Sequence, residues 1–395
     1  MQNFRYSYPV NVYFGSESLK QALDQESAKM GDTIMLTYGG GSIKRNGIYD
    51  AVMKLLKKNG KRVVEFNGIM SNPTYAKVQE GAKLAKDENV DFILAVGGGS
   101  VSDASKIISA QARLDADIWT MEMVGHKFPT EGIPMGVVVT ASGTGSEMNN
   151  GAVITHEDKK IKAGVLGTLP SFAVLNPEFT MTVPHSQVFS GAFDTLSHAM
   201  ETYFGQSDQD NVSDDVALAI MCNTVKNMRR LVENVDDIQA RSNLMWDSAM
   251  AENGILKVGR KTDFEAHQIE HQLGAYTDCN HGQGLAVIQP VYYRHILPDA
   301  PEKFERFAKE VFDKETAKEG LDALEDLIQA CHLPTKLNEL RSNATITPEL
   351  LRQVADSTNL IQTGPRKLTH DEIYDILMEC LDESLEDNHD LSSKP

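Results

Sequence analysis

The fold can be predicted from one stretch, Phe92-Ile-Leu-Ala-Val-Gly97-Gly-Gly-Ser-Val-Ser-Asp103. Five apolar residues run into three glycines, and helical spacing then continues to about Ala112, which predicts a buried strand, a tight turn and a helix. The same order occurs twice earlier in the chain, with strands at 33–37 and 62–66. Strands separated by helices of this length indicate a mostly parallel sheet with helices on both faces.

The remaining pattern divides the chain into two halves. Further strand signals lie at residues 4–14, 136–139, 161–165 and 172–175. Beyond Pro184 strand signals almost vanish, and helical patterns with charged faces continue. We predict an α/β domain with a mostly parallel sheet over residues 1–184 and a helical domain over residues 185–395. The polar residues 386–395 are typical of a frayed tail.

Composition restricts the partners of the chain. It has 395 residues, of which 24% are charged, and a formal net charge of -18. That charge argues against nucleic acid and against anionic membrane surfaces. The four cysteines are widely spaced without a C-x-x-C pair, and neither a signal-like N-terminus nor a run of about 18 apolar residues occurs. We therefore expect a cytoplasmic protein that binds neither a membrane nor nucleic acid.

Three turns rich in glycine and hydroxyl groups follow predicted strands. They are Gly39-Gly40-Gly41-Ser42, Gly97-Gly98-Gly99-Ser100 and Thr140-Ala-Ser142-Gly-Thr144-Gly-Ser-Glu147. Each could be merely a tight turn, and Ser102 stands where a third glycine would complete the G-x-G-x-x-G pattern. Ligands of parallel sheets bind at the carboxyl ends of the strands, and a helix N-terminus favours phosphate. Together the turns favour an extended phosphorylated ligand.

Asp194 and four histidines suggest a metal site. Asp194 precedes His198 by four residues and His267 precedes His271 by four, so each pair lies on one helix face if these segments are helical. His281 follows in the glycine-flanked segment Asn280-His-Gly-Gln-Gly284. One carboxylate with imidazoles suits a divalent first-row metal. No cysteine is placed to close a structural zinc site, so an open, substrate-binding site is favoured. Any one of these histidines alone could be an ordinary helix residue.

With both halves considered, the sequence resembles the iron-containing (group III) alcohol dehydrogenase family, closest to its NADPH-dependent butanol dehydrogenase and aldehyde reductase branch. The motifs are Gly97-Gly-Gly-Ser100 with Asp103 and Lys106, Thr140-x-x-Gly-Thr-Gly-Ser-Glu147, Asn176-Pro177, Asp194-x3-His198, and His267-x3-His271 with His281. The resemblance implies a Rossmann-like domain, a helical domain and a cleft between them that holds a nicotinamide coenzyme opposite a metal. It implies reversible hydride transfer to a carbonyl held by that metal.

By position, the resemblance implies specific roles for these residues. The metal ligands would be Asp194, His198, His267 and His281. His271 would lie near the nicotinamide as a candidate proton relay. The coenzyme would contact Gly39, Gly40, Gly41, Ser42, Asn72, Gly97, Gly98, Gly99, Ser100, Asp103, Thr140, Ser142, Thr144, Lys162 and Thr182. The metal would be Fe(II) or Zn(II), and the substrates would be primary aliphatic alcohols and aldehydes of the butanol and butanal type.

Coenzyme choice follows from the first glycine turn. NAD enzymes commonly place a carboxylate on the adenosine ribose, whereas Gly39-Gly40-Gly41-Ser42 has none and Lys44 and Arg45 follow it. We therefore predict NADP(H). A second basic cluster, Lys257, Arg260 and Lys261, is interpreted as a surface patch or, alternatively, as a site for a negatively charged substrate.

The sequence leaves three other functions open. They are an NAD-linked polyol dehydrogenase similar to glycerol dehydrogenase, a dehydroquinate synthase-like lyase, and a non-catalytic nucleotide- or metal-binding protein. The resemblance also suggests a homodimer that pairs through residues 4–14.

Overall fold

The computed structural model describes residues 3–205 and 211–381. The predicted tail at 386–395 lies outside the described residues. The N-terminal half contains one six-stranded, all-parallel sheet in the order β1-β8-β5-β4-β2-β3 and a separate antiparallel pair, β6-β7. The strands are β1 (Asn11–Phe14), β2 (Thr33–Tyr38), β3 (Arg62–Phe66), β4 (Phe92–Gly97), β5 (Met135–Val139), β6 (Gly151–His156), β7 (Ile161–Leu166) and β8 (Phe172–Leu175).

Helices cover both faces of the parallel sheet. They are α1 (Ser18–Glu26), α2 (Ser42–Arg45), α3 (Ile48–Lys58), α4 (Tyr75–Asp87), α5 (Gly99–Gln111) and α6 (Ile118–Met123). Strand β4 is buried along its whole length, as an apolar run between two covered faces requires. One apolar cluster packs below the sheet around Leu36 and Leu94, and another packs on the opposite face around Ile93 and Val137. The α/β prediction for this half is confirmed.

The C-terminal half is built from helices alone in the described residues. They are α7 (His185–Phe204), α8 (Val212–Glu233), α9 (Ile238–Glu252), α10 (Glu265–Thr277), α11 (His281–Ile296), α12 (Pro301–Phe312), α13 (Ala317–Ala330), α14 (Pro348–Ser357) and α15 (His370–Glu379). Helix α7 is the centre of this half, since almost every residue from Phe189 to Phe204 is buried. Helix α7 therefore carries its polar side chains into the interior of the protein. None of the helices in the described ranges is long and apolar enough to cross a membrane.

Two segments of the N-terminal half differ from the predictions. The alternating residues 4–14 form a strand only at Asn11–Phe14, and Phe4, Tyr6 and Tyr8 are exposed. The hairpin partner β6 was missed, and it pairs with β7 over six residues and packs on α5. The predicted boundary at residue 184 falls directly before α7, between the last strand and the helical half.

Candidate active site

A cleft of about 380 Å³ runs along the carboxyl edge of the parallel sheet and is closed on its other side by the helical half. Its lining includes most of the residues predicted to contact the coenzyme: Gly39, Gly40, Ser42, Asn72, Gly97, Gly98, Gly99, Ser100, Thr140, Ser142, Thr144 and Thr182. Asn72 also crosses the cleft, because its amide donates to Asp278 Oδ1 at 2.6 Å. The sheet edge and the helical half thus jointly form one elongated site.

The glycines at the centre of the cleft are required by close approach. A Cβ on Gly99 would collide with the Thr144 side chain, so this turn and the 140–147 loop can meet only through a glycine. Gly145 has a left-handed backbone, φ +57°, and its N–H donates to Ser248 Oγ at 3.0 Å. The cleft passes the N-terminus of α5. The first N–H groups of that helix and its dipole favour an anion.

A second cavity of about 430 Å³ adjoins the cleft and shares Asn72, Thr144, Asp194 and His281 with it. Apolar and polar side chains alternate on its wall, which includes Val153, Val165, Leu166, Phe264, Lys162, Glu252, Gln268 and Asn149. A pocket of this size and mixed lining suits a small organic molecule beside the coenzyme.

Three predicted coenzyme contacts lie elsewhere. Asp103 lines the second cavity, and its carboxylate accepts from Ser146 Oγ at 2.5 Å and from the Val153 N–H at 2.8 Å. Lys162 also lines that cavity and pairs with Glu270 at 3.3 Å. Gly41 lines neither cavity and serves as the left-handed cap of α2. The charged side chains of Asp103 and Lys162 are therefore already paired with other groups of the protein.

The predicted metal ligands converge where the two cavities meet. Asp194 and His198 are one turn apart on α7, His267 lies on α10 and His281 begins α11. The Nε2 atoms of His281, His198 and His267 lie 3.4, 3.7 and 3.8 Å from Asp194 Oδ1. Four side chains from three helices thus direct nitrogen and oxygen atoms at one small volume.

The unsatisfied atoms of this cluster fit a cation. Asp194 Oδ1 and His267 Nε2 are both buried without a hydrogen-bond partner. A buried carboxylate oxygen and imidazole nitrogen without partners carry a large desolvation cost. A divalent ion with three imidazole ligands and one carboxylate would remove that cost with ordinary ligand chemistry. The residues present therefore fit the metal that the sequence predicts.

Two buried glutamates support the histidines from behind. Glu201 Oε2 contacts Nδ1 of His267, and Glu270 Oε2 contacts Nδ1 of His281. A carboxylate on Nδ1 fixes the ring and leaves Nε2 free to bind a metal. These two glutamates were not among the predicted site residues. Each follows a predicted site histidine, His198 or His267, by three residues, which is a spacing that places both on one helix face.

The carboxylates and imidazoles of the cluster shift one another's pKa values strongly. Burial raises the pKa of Asp194, but the neighbouring His198 and His281 outweigh it and hold that pKa well below its ordinary value. Burial lowers the pKa of His267, yet Glu201 and Asp194 raise it to about 10. In the absence of a metal, the cluster thus holds a proton that a metal ion would displace.

His271 lies beside this cluster without directing a nitrogen at Asp194 Oδ1 in the described contacts. Its ring centroid is 5.3 Å from that of His281 and 5.9 Å from that of His267, and its Nδ1 has no partner. Burial, followed by the nearby Lys162, holds the pKa of His271 well below its ordinary value. The side chain is therefore a neutral imidazole within the second cavity.

The predicted basic cluster is not a single surface patch. Arg260 is buried and pairs with Asp214 at 2.5 Å. Lys257 pairs with Glu252 at 2.9 Å and lies over the Phe264 ring at 4.9 Å. Lys257 and Lys261 are both exposed. The surface interpretation is wrong for Arg260, and the sequence could not show this because its partner Asp214 lies on a different helix.

The chain matches known proteins in both of its halves. The family model described as "Iron-containing alcohol dehydrogenase" matches residues 9–177, and "Fe-containing alcohol dehydrogenase family, C-terminal" matches residues 188–381. NADH-dependent butanol dehydrogenase A of Clostridium acetobutylicum is 38% identical, over 86% of this chain and 90% of the relative. NADPH-dependent aldehyde reductase YqhD of Escherichia coli is 31% identical, over 90% of this chain and 94% of the relative. The crystal structure of NADH-dependent butanol dehydrogenase A from Thermotoga maritima superposes with a TM-score of 0.91 at 33% identity, covering 97% of this chain and 99% of that one.

Proposed function

Because this chain belongs to the iron-containing alcohol dehydrogenase family and is an alcohol and aldehyde oxidoreductase, we propose that it is metal-dependent, NADP(H)-linked and acts on short primary aliphatic substrates such as 1-butanol and butanal. One observation carries the proposal. Three imidazole Nε2 atoms converge on the unpaired Asp194 Oδ1 at the junction of the coenzyme cleft and the second cavity. A substrate in the second cavity would thus lie beside both the metal and the nicotinamide.

The side chains would divide the work as follows. Asp194, His198, His267 and His281 would hold Fe(II) or Zn(II), and the N-terminus of α5 would bind the pyrophosphate. A divalent ion acts as a Lewis acid on a carbonyl oxygen, and the nicotinamide carries the hydride. Val165, Leu166 and Phe264 would surround the alkyl chain and exclude water. His271 would relay the alcohol proton toward solvent, directly or through a water molecule.

The proposed preference for NADP(H) now rests on Arg45. Lys44, its neighbour, is engaged by Glu65 at 3.1 Å and by the rings of Tyr38 and Tyr49. The exposed Arg45 guanidinium lies 4.0 Å from the position of a Cβ on Gly41, the residue that follows Gly39 and Gly40 of the cleft lining. A guanidinium at this place would bind the 2′-phosphate of NADP(H). Relatives with both coenzymes occur, since the Clostridium enzyme is named for NADH and YqhD for NADPH.

Replacement of Arg45 by alanine tests this choice. We expect the KM for NADPH to rise about tenfold, as for loss of one charge-assisted phosphate contact, while the KM for NADH stays unchanged. Lys44→Ala is the matched control, because that ammonium is already paired with Glu65. A native enzyme with equal kcat/KM for NADH and NADPH contradicts the NADP(H) assignment and leaves the metal mechanism intact.

The main experiment follows oxidation of NADPH with butanal and reduction of NADP⁺ with 1-butanol by the metal-replete enzyme. We expect turnover that a chelator abolishes and that Fe(II) or Zn(II) restores. Asp194→Asn should lose both metal and turnover, because the amide cannot supply the negative charge at Oδ1. Turnover that survives complete removal of metal would refute the proposed mechanism.

We also propose a homodimer formed through the edge of the sheet. In the described residues β1 pairs with β8 on one side only, so its other edge is free to pair. Phe14 on β1 is 42% exposed and contacts the 40% exposed Trp246 edge to face, with ring centroids 6.1 Å apart. Exposed aromatic side chains beside a free strand edge are typical of an interface. Light scattering should give twice the chain mass, and Phe14→Ser with Trp246→Ser should shift the protein toward a monomer.

A further inference from the structure

A hydrogen bond between Asn72 and Asp278 joins the two walls of the coenzyme cleft. Asn72 lies in the loop that follows β3, and its amide donates to Asp278 Oδ1 at 2.6 Å and to the main-chain carbonyl of Cys279 at 3.4 Å. Asp278 lies in the turn between α10 and α11 of the helical half. Asn72 lines both the cleft and the second cavity, and Cys279 lines the cleft. The bond therefore crosses the cleft beside the place where the two cavities meet.

Both ends of this bond are attached to parts of the proposed site. On the sheet side, the main-chain carbonyl of Ser71 accepts from Oγ of Ser100, at the N-terminus of α5. On the helical side, the N–H of Asp278 donates to the Gly274 carbonyl at 2.9 Å, and His281 follows three residues later. The bond thus connects the turn proposed to bind the pyrophosphate with the turn that carries a proposed metal ligand.

The backbone of Asp278 is strained for a residue with a side chain. Asp278 ends α10 in the left-handed conformation, with φ 52° and ψ 28°. Glycine is the usual residue at such a helix end, because it has no Cβ to clash there. The Asp278 side chain is exposed, so packing does not offset the strain. Its described hydrogen bond is the one to Asn72, and we therefore assign the function of the carboxylate to that bond.

The position of the bond determines how a coenzyme would reach the cleft. One wall includes Gly97, Gly98, Gly99 and Ser100, and the facing wall includes Cys279, Asn280, His281 and Gly282. We propose that Asp278 is a positioning residue that gates the cleft: its bond to Asn72 holds the walls together and breaks each time a coenzyme enters or leaves. This inference rests on the proposed function, because that function places the coenzyme between these walls.

A gate has a kinetic signature that a direct coenzyme contact lacks. A bond that closes the cleft whether or not a coenzyme lies inside slows entry and release alike, so its loss raises both rate constants and changes Kd little. Loss of a direct contact raises the dissociation rate constant and Kd together, because association is much less affected. The two rate constants therefore distinguish a gate from a group that binds the coenzyme or supports its site.

Stopped-flow fluorescence measures both rate constants on the metal-replete enzyme. Binding of NADPH at several concentrations gives the association rate constant, and displacement of bound NADPH by excess NADP⁺ gives the dissociation rate constant. NADH with NAD⁺ is measured in parallel, because passage between the walls does not depend on the 2′-phosphate. We expect Asp278→Gly to raise both rate constants about tenfold, as for loss of one hydrogen bond to a charged group, and to leave Kd within about twofold of the native value.

The choice of variants separates the bond from the fold. Glycine adopts the backbone of residue 278 without strain, so Asp278→Gly removes the carboxylate without disturbing the end of α10. Asp278→Asn keeps an acceptor oxygen and tolerates the left-handed backbone, so both rate constants should rise only about threefold. Asp313→Gly is the matched control, because Asp313 is an exposed aspartate that ends α12 in the same conformation, φ 56°, and lines neither cavity. It should leave both rate constants unchanged.

Three results would overturn the inference. The first is native rate constants in Asp278→Gly or, if that variant does not fold, in Asp278→Asn. The second is equal acceleration in Asp313→Gly. The third is faster dissociation with unchanged association, which would make Asp278 a static support of the coenzyme site.

Failure of the proposed function gives a different result. Coenzyme binding without turnover of any alcohol would refute that function while the two rate constants still test the gate. Unchanged rate constants in a chain that oxidises 1-butanol would refute the gate alone. Absence of coenzyme binding would refute both.

Discussion

Replacing Glu201 by glutamine tests the metal site through a residue that is not itself a predicted ligand. Glu201 is fully buried, and its Oε1 accepts from the Ala266 N–H at 2.8 Å. Its Oε2 contacts Nδ1 of His267. A glutamine that keeps the first bond turns its NH₂ group toward Nδ1. The imidazole must then carry its proton on Nε2, the atom that faces Asp194, and it ceases to be a metal ligand.

The size of the effect follows from these contacts. Loss of a carboxylate partner behind a ligating histidine lowers metal affinity about 10- to 100-fold. This range corresponds to about 1.4–2.7 kcal/mol. We expect the upper end for Glu201→Gln, because the site is buried and no water can replace the lost acceptor. Activity at limiting metal should fall in proportion, and excess metal should restore part of it.

The assay is a competition titration of Zn(II) between the purified protein and a chelator of known affinity, with circular dichroism to verify folding. Glu122→Gln is the matched control. Glu122 is a buried glutamate that accepts from a main-chain N–H, of Leu166, at 2.8 Å, but it lines neither cavity. A folded Glu201→Gln protein whose zinc Kd equals that of native enzyme and of Glu122→Gln would refute the supporting role of Glu201.

Three further predictions address the proton relay, the buried charge and the coenzyme turn. His271→Ala should lower kcat about 100-fold, as for loss of a group that relays a proton, with metal content by mass spectrometry unchanged; loss of metal would make His271 a ligand. Burial, with Glu201 nearby, raises the pKa of Asp263 to about 7. Because this exceeds the unfolded value of about 3.9, stability is lost as pH rises from about 4 through about 7. Urea unfolding should therefore show Asp263→Asn gaining about 2–3 kcal/mol over native protein between pH 5 and pH 8, and equal pH profiles would contradict the shift. Gly99→Ala should raise the coenzyme KM at least about tenfold in steady-state kinetics, because its Cβ collides with Thr144; an unchanged KM would show that this turn does not position the coenzyme.

Much of the parallel sheet was predictable because buried parallel strands are short continuous apolar runs. Residues 92–96 show this pattern, and β4 extends from Phe92 to Gly97. Residues 4–10 show strand-like alternation but form no strand, since in the described chain they have no neighbouring strand with which to pair. Strand β6 was missed, and its apolar run covers only Ala152, Val153 and Ile154.

The site was predictable where helical spacing determines which side chains share a face. Asp194 and His198 meet as the spacing of four residues requires, and the resemblance to a known family supplied their partners on α10 and α11. The positions of Lys162 and Glu252 depend on contacts between distant segments, with Glu270 and with Asn149. No local pattern records such contacts, and for this reason the wall of the second cavity emerged only from the structure.

In the proposed mechanism, Asp194 and three histidines hold the metal on which alcohol oxidation depends. The most direct measurement titrates metal-free protein anaerobically with Fe(II), and separately with Zn(II), while coenzyme reduction by 1-butanol is recorded. We expect the rate to rise in proportion to bound metal, to stop rising at a single equivalent per chain, and to stay at zero in Asp194→Asn. Full activity of the metal-free chain, or of Asp194→Asn without bound metal, would contradict it.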